Sequence, residues 1–224
     1  SVNTTAGFSI IKYKGNGTSG HQIPHHLGVS PNMTIIKKLN TTEDWIVQNS
    51  VSGWNKRLIL NTNNTEASHT DFVSGVSSTT FSLYTNGSVN TNDSDYIAYC
   101  FADKTGYCKS GSYEANNNND GTFVYTGFKP AFILMKSADV SSREWFLIDN
   151  KRSASGGSNV NSTNLVASTN SVEWNNDSWG GMDLLSNGFK IRTNDANKNS
   201  SGTYIYLAIG QSLVGSNNVP CTAR

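Results

Sequence analysis

Charge is scarce in this chain. Only 15% of its 224 residues are Asp, Glu, Lys or Arg, and 17 basic against 16 acidic side chains leave a formal net charge of +1. With no run of like charges there is no field to hold a phosphate backbone or an anionic lipid surface, so neither nucleic acid nor membrane insertion is expected. Long apolar runs are missing as well, and none approaches the roughly 20 residues that cross a bilayer as a helix. Nowhere do apolar residues recur at i, i+3 and i+4 over helical length, which leaves little room for helix. Cysteine is limited to Cys100, Cys108 and Cys221, an odd and sparse set that excludes a disulfide-dense small scaffold. Free thiols are the expectation, with a Cys100 to Cys108 bridge as the alternative.

Catalytic signatures are absent too. There is no G-x-S-x-G elbow, no phosphate-binding loop and no Gly-rich dinucleotide fingerprint. The acids are scattered in pairs along turns, Glu43 with Asp44, Asp93 with Asp95 and Glu173 with Asp177. No strand carries the facing carboxylates that glycoside hydrolysis needs. No enzyme activity, cofactor or metal is expected.

What the chain does have is Asn, Ser, Thr and Gly between short apolar runs, with 10% aromatic residues. Polar turns around short strands read as an all-β protein. Strands are expected at Phe8 to Tyr13, Met33 to Lys37, Trp45 to Val47, Lys56 to Leu60, Phe81 to Tyr84 and Tyr96 to Phe101, with a tight turn at Asn86-Gly87. Ser1 to Ala6 has no periodicity and reads as a linker.

The same grammar is then written again. GVSPNMTIIKKLNTTEDWIV from Gly28 to Val47 returns as GFKPAFILMKSADVSSREWF from Gly127 to Phe146. Tyr113 answers Tyr13, Pro130 answers Pro31 and Trp145 answers Trp45, each displaced by about a hundred residues, and a fixed period of this kind marks a repeat. Further on the offset grows, so that Phe189 to Asn194 matches Phe81 to Asn86, and Tyr204-Ile205 matches Tyr96-Ile97. The added residues fall around Ser153 to Ser162, where loop length costs little. The organisation expected is a linker at 1–6, a first β repeat at 7–103, a second at 104–211 packed against the first, and a tail at 212–224. Whether each repeat makes its own sandwich or both pool strands stays open at this level. A compact jelly-roll-like or concanavalin-like β-sandwich with pseudo-twofold character is the expected body. Trp45 and Trp145, holding equivalent places, are expected in the core.

These motifs resemble a repeat family found in bacteriophage tail fibres and other virion appendages. The resemblance rests on Gly15-Asn16-Gly17, Leu27 to Pro31, Asn61-Thr62 and Tyr96-Ile97 in the first copy. In the second it rests on Tyr125 to Pro130, Ser186 to Phe189 and Ser201 to Tyr204, and it covers Gly7 to Gln211. It implies a non-enzymatic structural protein of the virion surface, lectin-like in appearance and homo-oligomeric, trimers being common among fibres. The implied partner is a host-surface glycan. Alternatives are a capsid decoration protein bound to neighbouring virion subunits, and a carbohydrate-binding module of a surface enzyme.

The copies differ most where Trp174 and Trp179 bracket Asn175, Asn176, Asp177 and Ser178. Flat indole faces stack on sugar rings while amides and a carboxylate hold hydroxyls. Trp174, Asn175, Asn176, Asp177 and Trp179 are therefore the candidate ligand-binding residues, the competing role for either Trp being core filling. His21, His25 and His26 stand close enough to ligate a transition metal, yet no Cys or carboxylate accompanies them. Asn116 to Asp120 offers oxygen ligands before Gly121 but lacks a terminal Glu, and an ordinary polar loop is the simpler reading. His69 stands alone in a loop.

Overall fold

Alternating residues form a strand where one face can be buried, and in this chain that condition recurs with little interruption. In a computed structural model of the chain, described over residues 1–152, 160–175 and 181–210, strand makes up 47% of the residues and helix 2%. The protein is all-β. It divides into two units, Ser1–Lys104 and Thr105–Arg224.

In chain order unit 1 contains β1 (Val2–Asn3), β2 (Phe8–Lys14), β3 (His21–Pro24), β4 (Met33–Lys38), β5 (Ile46–Asn49), β6 (Lys56–Ile59), β7 (Ala67–Ser68), β8 (Val73–Val76), β9 (Thr80–Leu83), the one-turn helix α1 (Gly87–Asn90) and β10 (Asp95–Phe101). One antiparallel sheet runs β1-β2-β10-β4-β5-β6-β7, and a smaller one runs β3-β9-β8. Tyr13, Ile36, Ile46, Tyr96, Ala98 and Cys100 from the larger sheet share a core with Ile23, Val73, Phe81 and Leu83 from the smaller. That is a β-sandwich. Burying each large side chain of this kind contributes roughly 1.5–3 kcal/mol.

Unit 2 contains β11 (Cys108–Glu114), β12 (Phe123–Tyr125), β13 (Pro130–Ser137), β14 (Phe146–Asp149), β15 (Val160–Asn161), β16 (Thr163–Val166), β17 (Trp174–Asn175), β18 (Gly181–Leu185), β19 (Gly188–Arg192) and β20 (Thr203–Gly210). Its sheets run β11-β20-β13-β14-β16-β17 and β12-β19-β18-β15. Tyr113, Met135, Phe146, Tyr204 and Tyr206 of the larger sheet pack with Val124, Met182, Leu184, Phe189 and Ile191 of the smaller. Each unit thus completes its own pair of sheets.

The larger sheets correspond in order and register. Tyr13 lies opposite Tyr96 and Ile36 opposite both Ala98 and Ile46; Tyr113 lies opposite Tyr204 and Met135 opposite both Tyr206 and Phe146. Loop chemistry corresponds as well. In unit 1, the buried Asn90 accepts from the Asn16 N–H at 3.0 Å, and its backbone carbonyl accepts from the Gly17 N–H at 3.0 Å, with Gly17 at φ 68°. In unit 2, Asn199 accepts from the Asn116 N–H at 3.0 Å, and its carbonyl accepts from the Asn117 N–H at 2.9 Å, with Asn117 at φ 51°. Asn is among the few residues that tolerate this left-handed conformation, so NNNND does the work of GNG.

Three local expectations differ from the structure. Ser1 to Ala6 is not a free linker, because β1 pairs with β2 and the Ile10 N–H donates to Ser1 O at 2.8 Å. Val2 stays 46% exposed, so this strand leaves no apolar pattern to read. Asn86-Gly87 turns the chain as expected, but into a helix instead of a hairpin, since the Asn86 side chain accepts from the Ser88 N–H at 2.9 Å and caps α1. Trp145 is fully buried, but Trp45 is half-buried and lies against Tyr99, with ring centroids 6.3 Å apart.

Candidate functional site

The stretch singled out by its two tryptophans starts on β17, the terminal strand of the larger sheet of unit 2, where Asn175 pairs with Thr163 and Trp174 with Asn164. Trp174 is half-buried, its ring edge-on to Phe146 with centroids 5.6 Å apart and planes at 68°. Part of the indole is therefore committed to the core of the unit. Asn175 is exposed. Asn176, Asp177 and Trp179 lie outside the described residues.

The approach to this strand is held by Arg152, which donates from Nε to Asp149 Oδ2 at 2.7 Å and from its guanidinium to Glu173 Oε1 at 3.2 Å. Burial pushes the Asp149 carboxyl up, but hydrogen bonds from Arg152 and from the Lys151 and Arg152 N–H groups together hold it below the usual carboxylate range. At the start of the paired strand β16 and just before it, the buried Ser162 Oγ, Thr163 Oγ1 and Asn164 Oδ1 have no hydrogen-bond partner among the described residues. Such groups cost about 1–3 kcal/mol each while unpaired.

A second polar place, in unit 1, was not expected. A hollow of about 330 Å³ is lined by Asn55, Ser68, His69, Thr70 and Asp71, where the chain leaves β7. The His69 N–H donates to Asn55 O at 2.7 Å, and its ring rests edge-on against the buried Phe72, centroids 5.0 Å apart. Nδ1 of His69 lies 3.1 Å from Asp71 Oδ1. A carboxylate only accepts, so Nδ1 carries the proton and Nε2 remains as the ring's other hydrogen-bonding atom. Asp71 Oδ2 accepts from Asn86 Nδ2 at 2.8 Å. The carboxylate and imidazole are thus fixed from several sides. In the sequence His69 stands alone, and the only sign of the hollow is that Ser68, His69, Thr70 and Asp71 follow one another.

The hollow and the tryptophan stretch begin at equivalent places. In unit 1 Lys56 pairs with Ser68 and Arg57 with Ala67; in unit 2 Thr163 pairs with Asn175 and Asn164 with Trp174. Both strands end the larger sheet of their unit.

The remaining candidates are taken up by the scaffold. His25 is buried, with Nε2 donating to Ser77 O at 3.0 Å and Nδ1 accepting from the Leu27 N–H at 3.2 Å, and burial pulls its pKa down. His21 Nδ1 lies 3.1 Å from Asn90 Oδ1, and His26 is exposed. Among the described residues no three His, Cys, Asp or Glu converge on a point. In the Asn-rich loop, Asp120 is engaged by Lys190 at 2.8 Å and Arg192 at 3.4 Å, and the hydrogen bond from Lys190 holds its carboxyl low. A carboxylate neutralised in this way is a poor start for a calcium site. Glu43 accepts from Ser88 Oγ at 2.9 Å and Asp44 from Asn61 Nδ2 at 2.9 Å. Cys100 and Cys108 are both buried and no bridge joins them, and burial pushes Cys100 up to about 12. Cys221 and the tail at 212–224 lie outside the described residues.

Over residues 1–212 the chain matches the family described as "Domain of unknown function (DUF7483)". The chain belongs to this family. The DUF7483 match spans both units, so the pair of sandwiches falls within a single family domain. No curated protein and no solved structure matches the chain.

Proposed function

We propose that this protein is a structural component of a bacteriophage virion, an appendage or tail-fibre domain that contacts a saccharide of the host surface and catalyses no reaction. The observation that carries this reading is that two polar stretches, Ser68 to Asp71 and the one led by Trp174, begin at equivalent positions of the terminal strands of two corresponding sandwiches. A chain that presents the same strand in each of two sandwiches suits repeated, individually weak contacts, which gain strength when several copies act together. The near-neutral, amide-rich and hydroxyl-rich surface suits an uncharged polar ligand better than a charged one. Matching strand order, register and asparagine-anchored loops support descent of the two units from one duplicated repeat. The protein works at the particle surface as a homo-oligomer, a trimer being the form that fibres suggest.

Adhesion of the purified chain to a panel of bacterial cells and to arrayed bacterial polysaccharides tests this. Saturable binding to both supports it, and binding to neither sinks it. A second reading, decoration of the capsid through neighbouring virion subunits, draws on Phe123 and Tyr125. These aromatics are 44% and 61% exposed on β12, a terminal strand of the smaller sheet of unit 2. Stoichiometric recovery on purified capsids, without cell or glycan binding, would favour it.

A further inference from the structure

The hollow beside β7 has the chemistry of a specific subsite. We infer that Asn55, Ser68, His69, Thr70 and Asp71 bind one uncharged saccharide ring. This deepens the reading above and rests on it.

Sugar hydroxyls both donate and accept, so a site for them needs both kinds of partner, held in place beforehand. Asp71 supplies acceptors. Each of its oxygens already takes one hydrogen bond, from His69 and from Asn86, and each keeps a further lone pair. His69 supplies Nε2, with its ring fixed by Asp71, by Phe72 and by the backbone bond to Asn55. The amide of Asn55 and the hydroxyls of Ser68 and Thr70, all three on exposed residues, can act in either sense. Asp71 itself is anchored twice by Asn86, since the Asn86 N–H also donates to Asp71 O at 3.1 Å.

Charge and size narrow the ligand further. The one carboxylate disfavours an anion. Arg57 places its guanidinium 5.1 Å from the centre of the Phe72 ring against which His69 rests, so a cation already stands one ring away and a second is not favoured. His69 and Asp71 alone are too few for a metal, and no third such residue joins them among the described residues. A hollow of about 330 Å³ lies at the low end of ligand sites, which run from roughly 300 to 1,000 Å³. One sugar ring suits it better than an extended chain.

The test is titration of the full chain with the methyl glycosides of glucose, galactose, mannose and N-acetylglucosamine, followed by amide chemical shifts. At least one should saturate and move the amides of residues 68–71. Asp71→Asn and His69→Gln should each weaken it about tenfold, as expected for loss of one good hydrogen bond to a charged or fixed group. Ser68→Ala and Thr70→Val, on exposed positions, should weaken it less, and an unchanged melting temperature for these two keeps the result independent of folding. No saturable shift with any of the four sugars overturns the inference, as does equal binding by wild type, Asp71→Asn and His69→Gln. Cell adhesion separates the two levels. Adhesion that survives Asp71→Asn but is lost in Trp174→Ala overturns this subsite and leaves the appendage standing on β17. Sugar binding in the hollow with no adhesion to any cell overturns the appendage alone.

Discussion

Tyr13 lies parallel to Tyr96, ring centroids 5.1 Å apart and planes 13° from each other, and its hydroxyl donates to Val89 O at 2.8 Å across 76 residues of chain. Tyr113 stands in the same relation to Tyr204, at 5.1 Å and 14°, with its hydroxyl 2.6 Å from Lys198 O. In each unit one ring joins a strand face, its partner strand and the segment that leads into that partner, α1 in unit 1 and the turn at Lys198 in unit 2. Tyr13→Phe and Tyr113→Phe keep the stack but leave a buried carbonyl without its donor. Each should lower unfolding free energy by roughly 1–2 kcal/mol in urea denaturation followed by circular dichroism. Tyr113→Ala, which also empties the site, should cost about 3–5 kcal/mol.

Asn199 is fully buried and donates from Nδ2 to Asn118 O at 2.8 Å and Thr193 O at 2.9 Å, while Oδ1 accepts from the Asn116 N–H. Asn199→Asp keeps the shape but sets carboxylate oxygen against carbonyl oxygen inside the protein. At neutral pH it should cost about 3 kcal/mol or more. Because protonation restores one donor, the loss should shrink as pH falls towards 4, and a loss that does not depend on pH would contradict this.

His25 is held neutral, and its pKa lies below the ordinary 6.5 because of burial. The unfolded chain therefore binds a proton that the folded chain refuses, and stability falls as pH drops below about 6.5. Melting temperatures from pH 7.5 to 5 should decline more steeply for wild type than for His25→Gln.

On the alkaline side, burial pulls Lys136 and Lys198 down to about 8, and Lys198 lies 4.9 Å from the centre of the Phe146 ring. Between pH 8 and the ordinary 10.5 the folded state has released protons that the unfolded state still holds, so stability rises with pH, by at most about 1.4 kcal/mol per pH unit for each group. The buried tyrosines, whose pKa values are raised, reverse the trend above about pH 10. Urea denaturation between pH 7.5 and 9.5 should show the rise, and Lys198→Met should reduce it.

Several strands could be read from the residues alone, because Phe8 to Tyr13, Met33 to Lys37 and Tyr96 to Phe101 alternate or run apolar over strand length. The neighbouring β1 could not, since its side chains stay exposed and it joins the sheet through backbone pairing with β2. Asn86-Gly87 shows a related limit. The same dipeptide serves a hairpin or a helix cap, and the chain that follows decides between them. The offset between Phe81 and Phe189 likewise pairs Asn86 with Asn194, yet it is Asp195 whose carbonyl accepts from the Asn199 N–H as that of Asn86 does from the Asn90 N–H.

Of the candidate site, the sequence pointed to Trp174 and Asn175 through contrast between the copies, and Trp174 proves to lean on Phe146. His69 reads as a lone loop residue because Asn55, which holds its backbone, and Asn86, which holds Asp71, come from distant turns of the chain. The all-β character, and the recurrence in order of aromatic and apolar strand residues, are legible in the residues alone because alternation and turn chemistry are local. That Trp45 stays half-exposed while Trp145 is buried, that Asn117 takes the left-handed place held by Gly17, and that a fixed imidazole and carboxylate line a hollow beside β7 follow from the folded packing. Burial and hydrogen-bond partnership depend on which distant segments meet, and that is settled by packing.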